Sequence, residues 1–535
     1  MFDKLRLFII LIPAIINFIS FDILFAQKSS GVIYETIEKN LIINSYNLTQ
    51  LDCTIIYPYS IKDSYKKYPC IIYCHGLGQS KEYVIQSARE YAKNGYVTFV
   101  YSMRGQGKSG GTCNLMSFEE TEDLKYIVSY LKKDKKIISD KIAVIGSSQG
   151  GIISFKAACE GLDVRCIVSD LCTPDFVKNW LNNDCIKMTF LWSLNYKTEI
   201  IRYCDEIENI RKSVFENSFF INRKILNGFI AKRDFDEKIN KCDVPVLVSN
   251  SWEDKFFNAN YYIYNENFTT GDNKIFIGYL NGHGGNPVSE DIEFHKKYID
   301  TWLEFWLYDI GNIIENINKF NYSYYNNNYK TIYKSNNNPF NSTKDLILYL
   351  SPDNNIYFQK QYFRGQNNKT LKNIISNSGY TLQNAVNSEF YGKEFKTNFA
   401  KDSLTFESDV LKWNYNILGI PKINIKYISD SKAFQLNFQI YEVDWKNNVR
   451  FITSINFTDW NNSVNCVTEN EIHGSAISHI FHKGNKIRIV VTNLDTRPND
   501  DFLRTNPFVL PVFINSNTQI LFSENFPVLT FKLKE

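Results

Sequence analysis

Ser148 stands in Gly146-Ser147-Ser148-Gln149-Gly150, directly after the apolar run Lys141–Ile145. A strand that breaks into G-x-S-x-G and resumes as a helix lifts a serine hydroxyl clear of a sheet end, where it can attack a carbonyl. Gly146 and Gly150 leave out the Cβ atoms that would crowd such a turn. Downstream, Ile152, Ile153, Phe155 and Ala158 recur at nearly helical spacing, as this reading requires. A serine hydroxyl is a poor nucleophile until a base takes its proton, so the search passes to histidine.

The chain has six histidines: His75, His283, His295, His473, His479 and His482. In a G-x-S-x-G architecture the acid and then the histidine follow the serine in chain order. His283 lies in the glycine-rich Asn281-Gly282-His283-Gly284-Gly285, just past the apolar run Lys274–Leu280. A loop at a strand end is where a general base belongs. His295 falls in an amphipathic helical stretch, Glu290–Trp306, and reads as a solvated or packed helix residue. The acid is expected one strand–helix unit before the base. Asp254, following the strand-like Val244–Ser251, is the leading candidate, with Glu253 beside it and Asp170 one strand earlier as rivals. Such an acid fixes the imidazole tautomer and stabilises the imidazolium. For the oxyanion, the main-chain N–H groups of Leu77 and Gln149 are the candidates. His75, in Cys74-His75-Gly76-Leu77-Gly78, reads as a loop anchor.

Gly105-Gln106-Gly107-Lys108-Ser109-Gly110 matches G-x-G-x-x-G and imitates the end of a P-loop. The P-loop needs glycine at position 102, which is Ser102, and no helix opens at once after the run. No nucleotide site is inferred.

These groups need a scaffold. Strand signals recur at Pro69–Tyr73, Val97–Met103, Lys141–Ile145, Val164–Asp170, Val244–Ser251 and Lys274–Leu280, alternating with helical segments. That alternation predicts an α/β fold with a largely parallel sheet covered on both faces, preceded by an antiparallel pair within Gly31–Tyr59. Thr173–Asp243 is too long for one crossover and rich in aromatic and helical residues (Trp180, Phe190, Trp192, Tyr196, Phe215, Phe219, Phe220), so it reads as a helical cap over Ser148. Trp302–Tyr308 closes the α/β part, and residues 309–343, dense in Asn and Tyr, read as an irregular linker. From Lys344 onward, short alternating strands predict an all-β sandwich; sandwiches of this shape sometimes bind sugars, which Trp413, Trp445 and Trp460 could serve, but tryptophans in a sandwich are more often core and these are expected there.

Composition narrows the function classes. At 535 residues and 44% hydrophobic content, the chain can bury sizeable cores, and a net charge of +3 points to neither nucleic acid nor an anionic membrane. Lys4 and Arg6 before the apolar Leu7–Ser20, with Leu24-Phe25-Ala26 behind it, predict a signal peptide over residues 1–26 and export; an uncleaved N-terminal anchor is the alternative. Eleven cysteines, ten of them between Cys53 and Cys242, permit disulfides in that compartment, Cys172 with Cys185 being one candidate pair. No C-x-x-C pair occurs, and no metal or organic cofactor is expected. Homo-oligomerisation is left open.

Tyr101–Gly111 (YSMRGQGKSGG), the Ser148 elbow, Ser251-Trp252-Glu253-Asp254 and the His283 loop together resemble one serine-hydrolase group: the S15 family of Xaa-Pro dipeptidyl-peptidases, cocaine esterase-like hydrolases and α-amino-ester hydrolases. Leu404–Ser408, Ile417–Pro421, Gln439–Val443 and Gly484–Val491 resemble the family's C-terminal β-sandwich. The likeness runs from about Gly31 to Lys534. It implies an α/β-hydrolase fold (residues 27–308, cap about 173–243) followed by a jelly-roll sandwich (344–535). It also implies Ser148 as nucleophile, Asp254 as acid and His283 as base, acting on an ester, amide or peptide. Two features depart from the family pattern. The turn after the third strand reads His-Gly-Leu where relatives commonly place a tyrosine, and Ser102-Met103 stands where an acidic residue usually precedes Arg-Gly. The reading from a different class is a non-catalytic cell-surface glycan-binding protein with a relic hydrolase half.

Overall fold

The structure, a computed structural model, describes residues 33–534 except 60–64, 217–222, 266–267, 269–271, 280–281, 284–287, 311–317, 327–328, 363–366, 376–398, 401, 496–507 and 524. The signal-peptide reading over residues 1–26 therefore lies outside the described residues, as do Phe219 and Phe220 of the cap.

Ten strands form the first sheet: β1 (Glu35–Asn44), β2 (Gln50–Tyr59), β3 (Tyr68–Cys74), β4 (Val97–Tyr101), β5 (Ile137–Ser147), β6 (Cys166–Asp170), β7 (Val246–Ser251), β8 (Lys274–Gly278), β9 (Phe320–Asn326) and β10 (Tyr329–Ser335). Their spatial order is β1-β2-β4-β3-β5-β6-β7-β8-β9-β10. The run from β4 to β9 is parallel, and β1, β2 and β10 add antiparallel edges. Strand residues alternate between two apolar layers. Ile71, Ala143, Val168 and Leu247 pack with Ala88 and Ala92 of α1 (Lys81–Lys93) and with Trp302 and Leu303 of the last helix. Ile72, Val144, Ile167 and Val248 pack with α2 (Phe118–Leu131) and α3 (Gln149–Cys159). Both faces are thus covered, which is why these strands read as continuous apolar runs.

Between β6 and β7 lies the expected helical insertion: α4 (Phe176–Trp180), α5 (Met188–Asn195), α6 (Asp205–Glu216) and α7 (Arg223–Ala231). Two further helices, α8 (Asn260–Tyr264) and α9 (Ser289–Tyr308), follow β7 and β8. Trp180 and Phe190 are fully buried and stacked at 4.8 Å, so part of the cap's aromatic content is its own packing.

One expectation is corrected. The segment read as an irregular linker contains β9 and β10, which extend the sheet beside β8. Its Asn-rich composition hides a two-residue alternation. Phe320 and Tyr322 enter the core, while Asn321 and Ser323 are buried on the opposite face, where Asn321 bonds the Tyr298 hydroxyl and Ser323 the Asp291 carboxylate. Buried polar side chains with partners are compatible with a strand.

Beyond Thr343 the described residues form fourteen strands around a separate apolar core that includes Leu348, Phe406, Ile423, Phe438, Ile489 and Phe531. Here too the sequence reading is corrected. Trp413 and Trp445 are 68% and 77% exposed, and the Trp460 indole donates to the Asp184 carbonyl of the cap at 2.9 Å. Trp413 lies just before Tyr415–Gly419, and Trp445 between Phe434–Val443 and Val449–Asp459, so neither occupies an inward strand position.

The cap rests on this C-terminal half. The Asn183 amide donates to the carbonyls of Asn456 and His473 at 2.9 and 2.7 Å. Backbone bonds run from Met188 to Phe508 and from Leu510 to Ile186 at 3.1 and 2.8 Å.

Candidate active site

Strand β5 delivers Ser148 in a conformation that few non-glycine residues adopt, φ 54° and ψ −122°. Its N–H bonds the Asp170 carbonyl at 2.9 Å, tying the strained residue to β6. The glycines around it are sterically required. A Cβ at Gly146 would stand 2.2 Å from the Gly150 carbonyl oxygen, and one at Gly150 would stand 2.1 Å from the Cys74 carbonyl oxygen. Strand β5, strand β3 and helix α3 therefore meet at backbone contact, with the serine at the apex.

Ser148 Oγ lies 3.0 Å from His283 Nε2, and His283 Nδ1 lies 2.8 Å from Asp254 Oδ2. A carboxylate only accepts hydrogen bonds, so Nδ1 carries the imidazole proton and Nε2 faces the serine hydroxyl as acceptor. Asp254 is buried, and its other oxygen accepts the N–H groups of Phe256 and Phe257 at 2.7 and 3.0 Å. Phe256 packs against the His283 ring with centroids 4.4 Å apart, and Phe257 closes another side at 5.5 Å. The imidazole is thus hydrogen-bonded at both nitrogens and walled by aromatic rings. A Ser–His–Asp line of this geometry can activate the hydroxyl and return its proton to a leaving group.

The rival acids take other positions. Glu253 is exposed. Asp170 faces away from His283, accepting Ser147 Oγ at 3.2 Å and Ser249 Oγ at 2.5 Å. His295, at the far end of that cluster, bonds Ser249 Oγ at 2.7 Å and is buried in the sheet–α9 layer. It is a packed helix residue that braces the strand ends.

Leu77 follows β3 on the turn facing the elbow, and Gln149 opens α3. Among the described residues neither main-chain N–H finds an acceptor. The turn is held from several sides. His75 Nε2 accepts the Met103 N–H at 2.9 Å, His75 Nδ1 bonds the Gly76 carbonyl at 2.8 Å, and Gln79 Oε1 accepts the Gly76 N–H at 2.9 Å. From the cap, Lys197 Nζ donates to the Gly78 carbonyl at 3.1 Å, and a Cβ at Gly78 would stand 2.6 Å from the Tyr196 ring. Tyr196 stacks on Trp192 at 4.0 Å, and Trp192 meets Phe256 edge-on at 5.2 Å. An aromatic wall thus links the turn, the cap and His283. The cap contacts and Phe256 escaped the sequence reading, because nothing in one-dimensional spacing joins residue 192 to residue 283.

Burial pushes the His75 imidazole down to about 4. The folded protein therefore refuses a proton that the unfolded chain accepts below about pH 6.5. Stability is undiminished above that pH and falls as pH drops from about 6.5 to about 4, by about 3 kcal/mol from this group. Urea unfolding at pH 7.5 and pH 5 is expected to show the loss in the parent chain. His75→Gln should be less stable at both values and lose less between them; equal pH sensitivity in both chains would refute this.

All eleven cysteines are free thiols. The candidate pair Cys172–Cys185 is not a disulfide. Cys172 contacts Ser169 Oγ and Tyr262 Oη beneath the sheet, whereas Cys185 meets Thr458 Oγ1 of the C-terminal half. Among the described residues no cluster of His, Cys, Asp and Glu is arranged to hold a metal ion, and no helix is long and apolar enough to cross a membrane.

Parallel sheet, helical faces, inserted cap and strained serine elbow define the α/β-hydrolase fold, joined here to a β-rich C-terminal half. The chain resembles the X-Pro dipeptidyl-peptidase (S15) family, whose sequence profile matches residues 48–282. A CocE/NonD family hydrolase from Staphylococcus aureus superposes with a TM-score of 0.70 at 12% identity, covering 93% of this chain and 94% of that one. An α-amino acid ester hydrolase superposes with a TM-score of 0.67 at 11% identity, covering 98% and 99%. An uncharacterized 31.7 kDa Escherichia coli protein from the traX-finO intergenic region is 31% identical over 137 residues, 25% of this chain. The chain spans about half the length of the curated relatives it matches.

Proposed function

We propose that this protein is an exported serine hydrolase that cleaves an ester or acyl-amide bond through an acyl-serine intermediate. The observation that carries the reading is the continuous line from Ser148 Oγ through His283 to Asp254, at 3.0 and 2.8 Å. Ser148 Oγ attacks the substrate carbonyl carbon while His283 Nε2 takes its proton, and Asp254 stabilises the imidazolium. The Leu77 and Gln149 N–H groups receive the oxyanion, with the N-terminal end of α3 adding its positive dipole. Collapse of the tetrahedral intermediate expels the alcohol or amine, which takes the proton from His283. Water, deprotonated by the same imidazole, then hydrolyses the acyl-serine.

The aromatic lining of the cap is the feature that favours ester or simple acyl-amide substrates. Holding a peptide's α-ammonium takes an uncommitted carboxylate over the site. Of the cap acids, Asp175 pairs with Lys178, Glu206 with Lys232 and Glu208 with Arg211, whereas Glu199 and Asp205 are exposed on its surface. The wall formed by Trp192, Tyr196 and Phe256 suits an apolar acyl or aryl group.

The purified full chain is expected to hydrolyse short p-nitrophenyl esters much faster than Gly-Pro-p-nitroanilide, and a fluorophosphonate probe should label Ser148. Preferential anilide turnover would select the dipeptidyl-peptidase activity instead. Failure to label or turn over either substrate would favour a binding protein with a relic hydrolase half. N-terminal sequencing of exported material beginning at Gln27 would support the signal-peptide reading.

A further inference from the structure

The glycine-rich run Gly105–Gly110 holds no nucleotide in this reading, and the structure places one of its side chains where it bears on the site. Gln106 is 1% exposed, and its two amide ends reach two different elements. Its Oε1 accepts the Gly78 N–H at 2.7 Å, one residue past Leu77 on the turn after β3. Its Nε2 donates to the Gln149 side-chain oxygen at 3.3 Å, at the first residue of α3, and also lies 3.9 Å from Cys113 Sγ. One buried amide thus ties the neighbour of one candidate oxyanion donor, Leu77, to the side chain of the other, Gln149.

The side chain sits on a rigid platform. Arg104 forms a buried ion pair with Asp123, with contacts of 2.6 and 2.7 Å. Gly105 adopts φ +71°, and a Cβ there would stand 2.3 Å from the Cys113 backbone nitrogen. The Gln106 N–H bonds the Met103 carbonyl at 3.0 Å, and the Met103 N–H is itself bound by His75. Side-chain type matters here as well. An amide both accepts and donates, a carboxylate only accepts, and a thioether does neither to useful strength.

We propose that Gln106 is a positioning residue that holds the Leu77 and Gln149 main-chain amides at the separation the oxyanion requires. The inference rests on the acyl-serine reading above. Donors aimed at a developing charge act mainly on the transition state, so misplacing them lowers kcat more than it changes KM.

The test compares full-length Gln106→Met, which removes both polar contacts, with Gln106→Glu, which keeps only the acceptor toward Gly78. On p-nitrophenyl butyrate, kcat should fall about 10- to 100-fold in Gln106→Met with KM within about threefold of the parent. Inhibition by a phenylboronic acid, which forms a tetrahedral serine adduct, should weaken by a similar factor. Gln106→Glu also loses the donor toward Gln149 and brings a carboxylate near the oxyanion position, so its kcat should fall at least as far as that of Gln106→Met, in which the pH midpoint of kcat/KM should stay in place. Parent-like kcat in both variants, a loss confined to KM, or unchanged boronate inhibition would each overturn the inference. If Gln106→Met does not accumulate as folded protein, Gln149→Met, which removes only the acceptor of the Gln106 amide, is read by the same criteria. A Ser148→Ala chain with parent turnover overturns the acyl-serine reading itself. Inert Ser148→Ala beside unaffected Gln106 variants overturns this inference alone.

Discussion

Ser148→Ala is expected to lower kcat on p-nitrophenyl esters by about 10⁴- to 10⁶-fold, with little change in KM and no loss of thermal stability. The substitution removes one oxygen that is hydrogen-bonded to His283 Nε2 and leaves the elbow backbone in place. Ser148 already sits at φ 54°, a strain that alanine shares, so the folded state should lose little. Rate and stability thus separate cleanly. Turnover within tenfold of the parent would remove Ser148 from the chemistry, whatever the geometry around it.

The second large effect concerns folding. Gly150→Ala would force a Cβ to within 2.1 Å of the Cys74 carbonyl oxygen and 2.9 Å of the His75 carbonyl oxygen. Both obstacles are backbone, one at the end of β3 and one on the turn beyond it, so neither can swing aside. We expect a loss above about 4 kcal/mol, seen as a collapse of soluble expression or of the urea midpoint. Gly228→Ala is the control. Gly228 lies within α7, and a Cβ there meets nothing within 4 Å. Alanine should stabilise the chain by about 0.5–1 kcal/mol through helix propensity. A parent-like Gly150→Ala protein would show that the elbow is looser than its contacts imply.

The α/β half was legible because each parallel strand is buried on both faces and so reads as an apolar run with loops at its ends. Ser148 and His283 stood out because glycines mark the backbone that must turn sharply around them. Strand counting set Asp254 apart from Asp170 but not from the adjacent Glu253; in space the difference is the 2.8 Å contact that Asp254 makes with His283. Gln106 was hidden inside a motif whose glycines suggest phosphate binding, while its partners lie 28 and 43 residues away. Strands β9 and β10 were hidden for a different reason. The inward polar residues of β9, Asn321 and Ser323, find buried partners, so composition argued loop where pairing makes sheet. Trp413 and Trp445 were misplaced because aromatic content predicts burial only on average.

Asn183 grips carbonyls 273 and 290 residues further along the chain, and the indole of Trp460 reaches back 276 residues to Asp184. During synthesis, a ribosome that has released only the first 340 residues has made Ser148, Asp254 and His283 but not the floor on which the lid stands. The growing polypeptide therefore cannot form these cap contacts until its last third emerges, so the cap takes its final seat only at the end of translation.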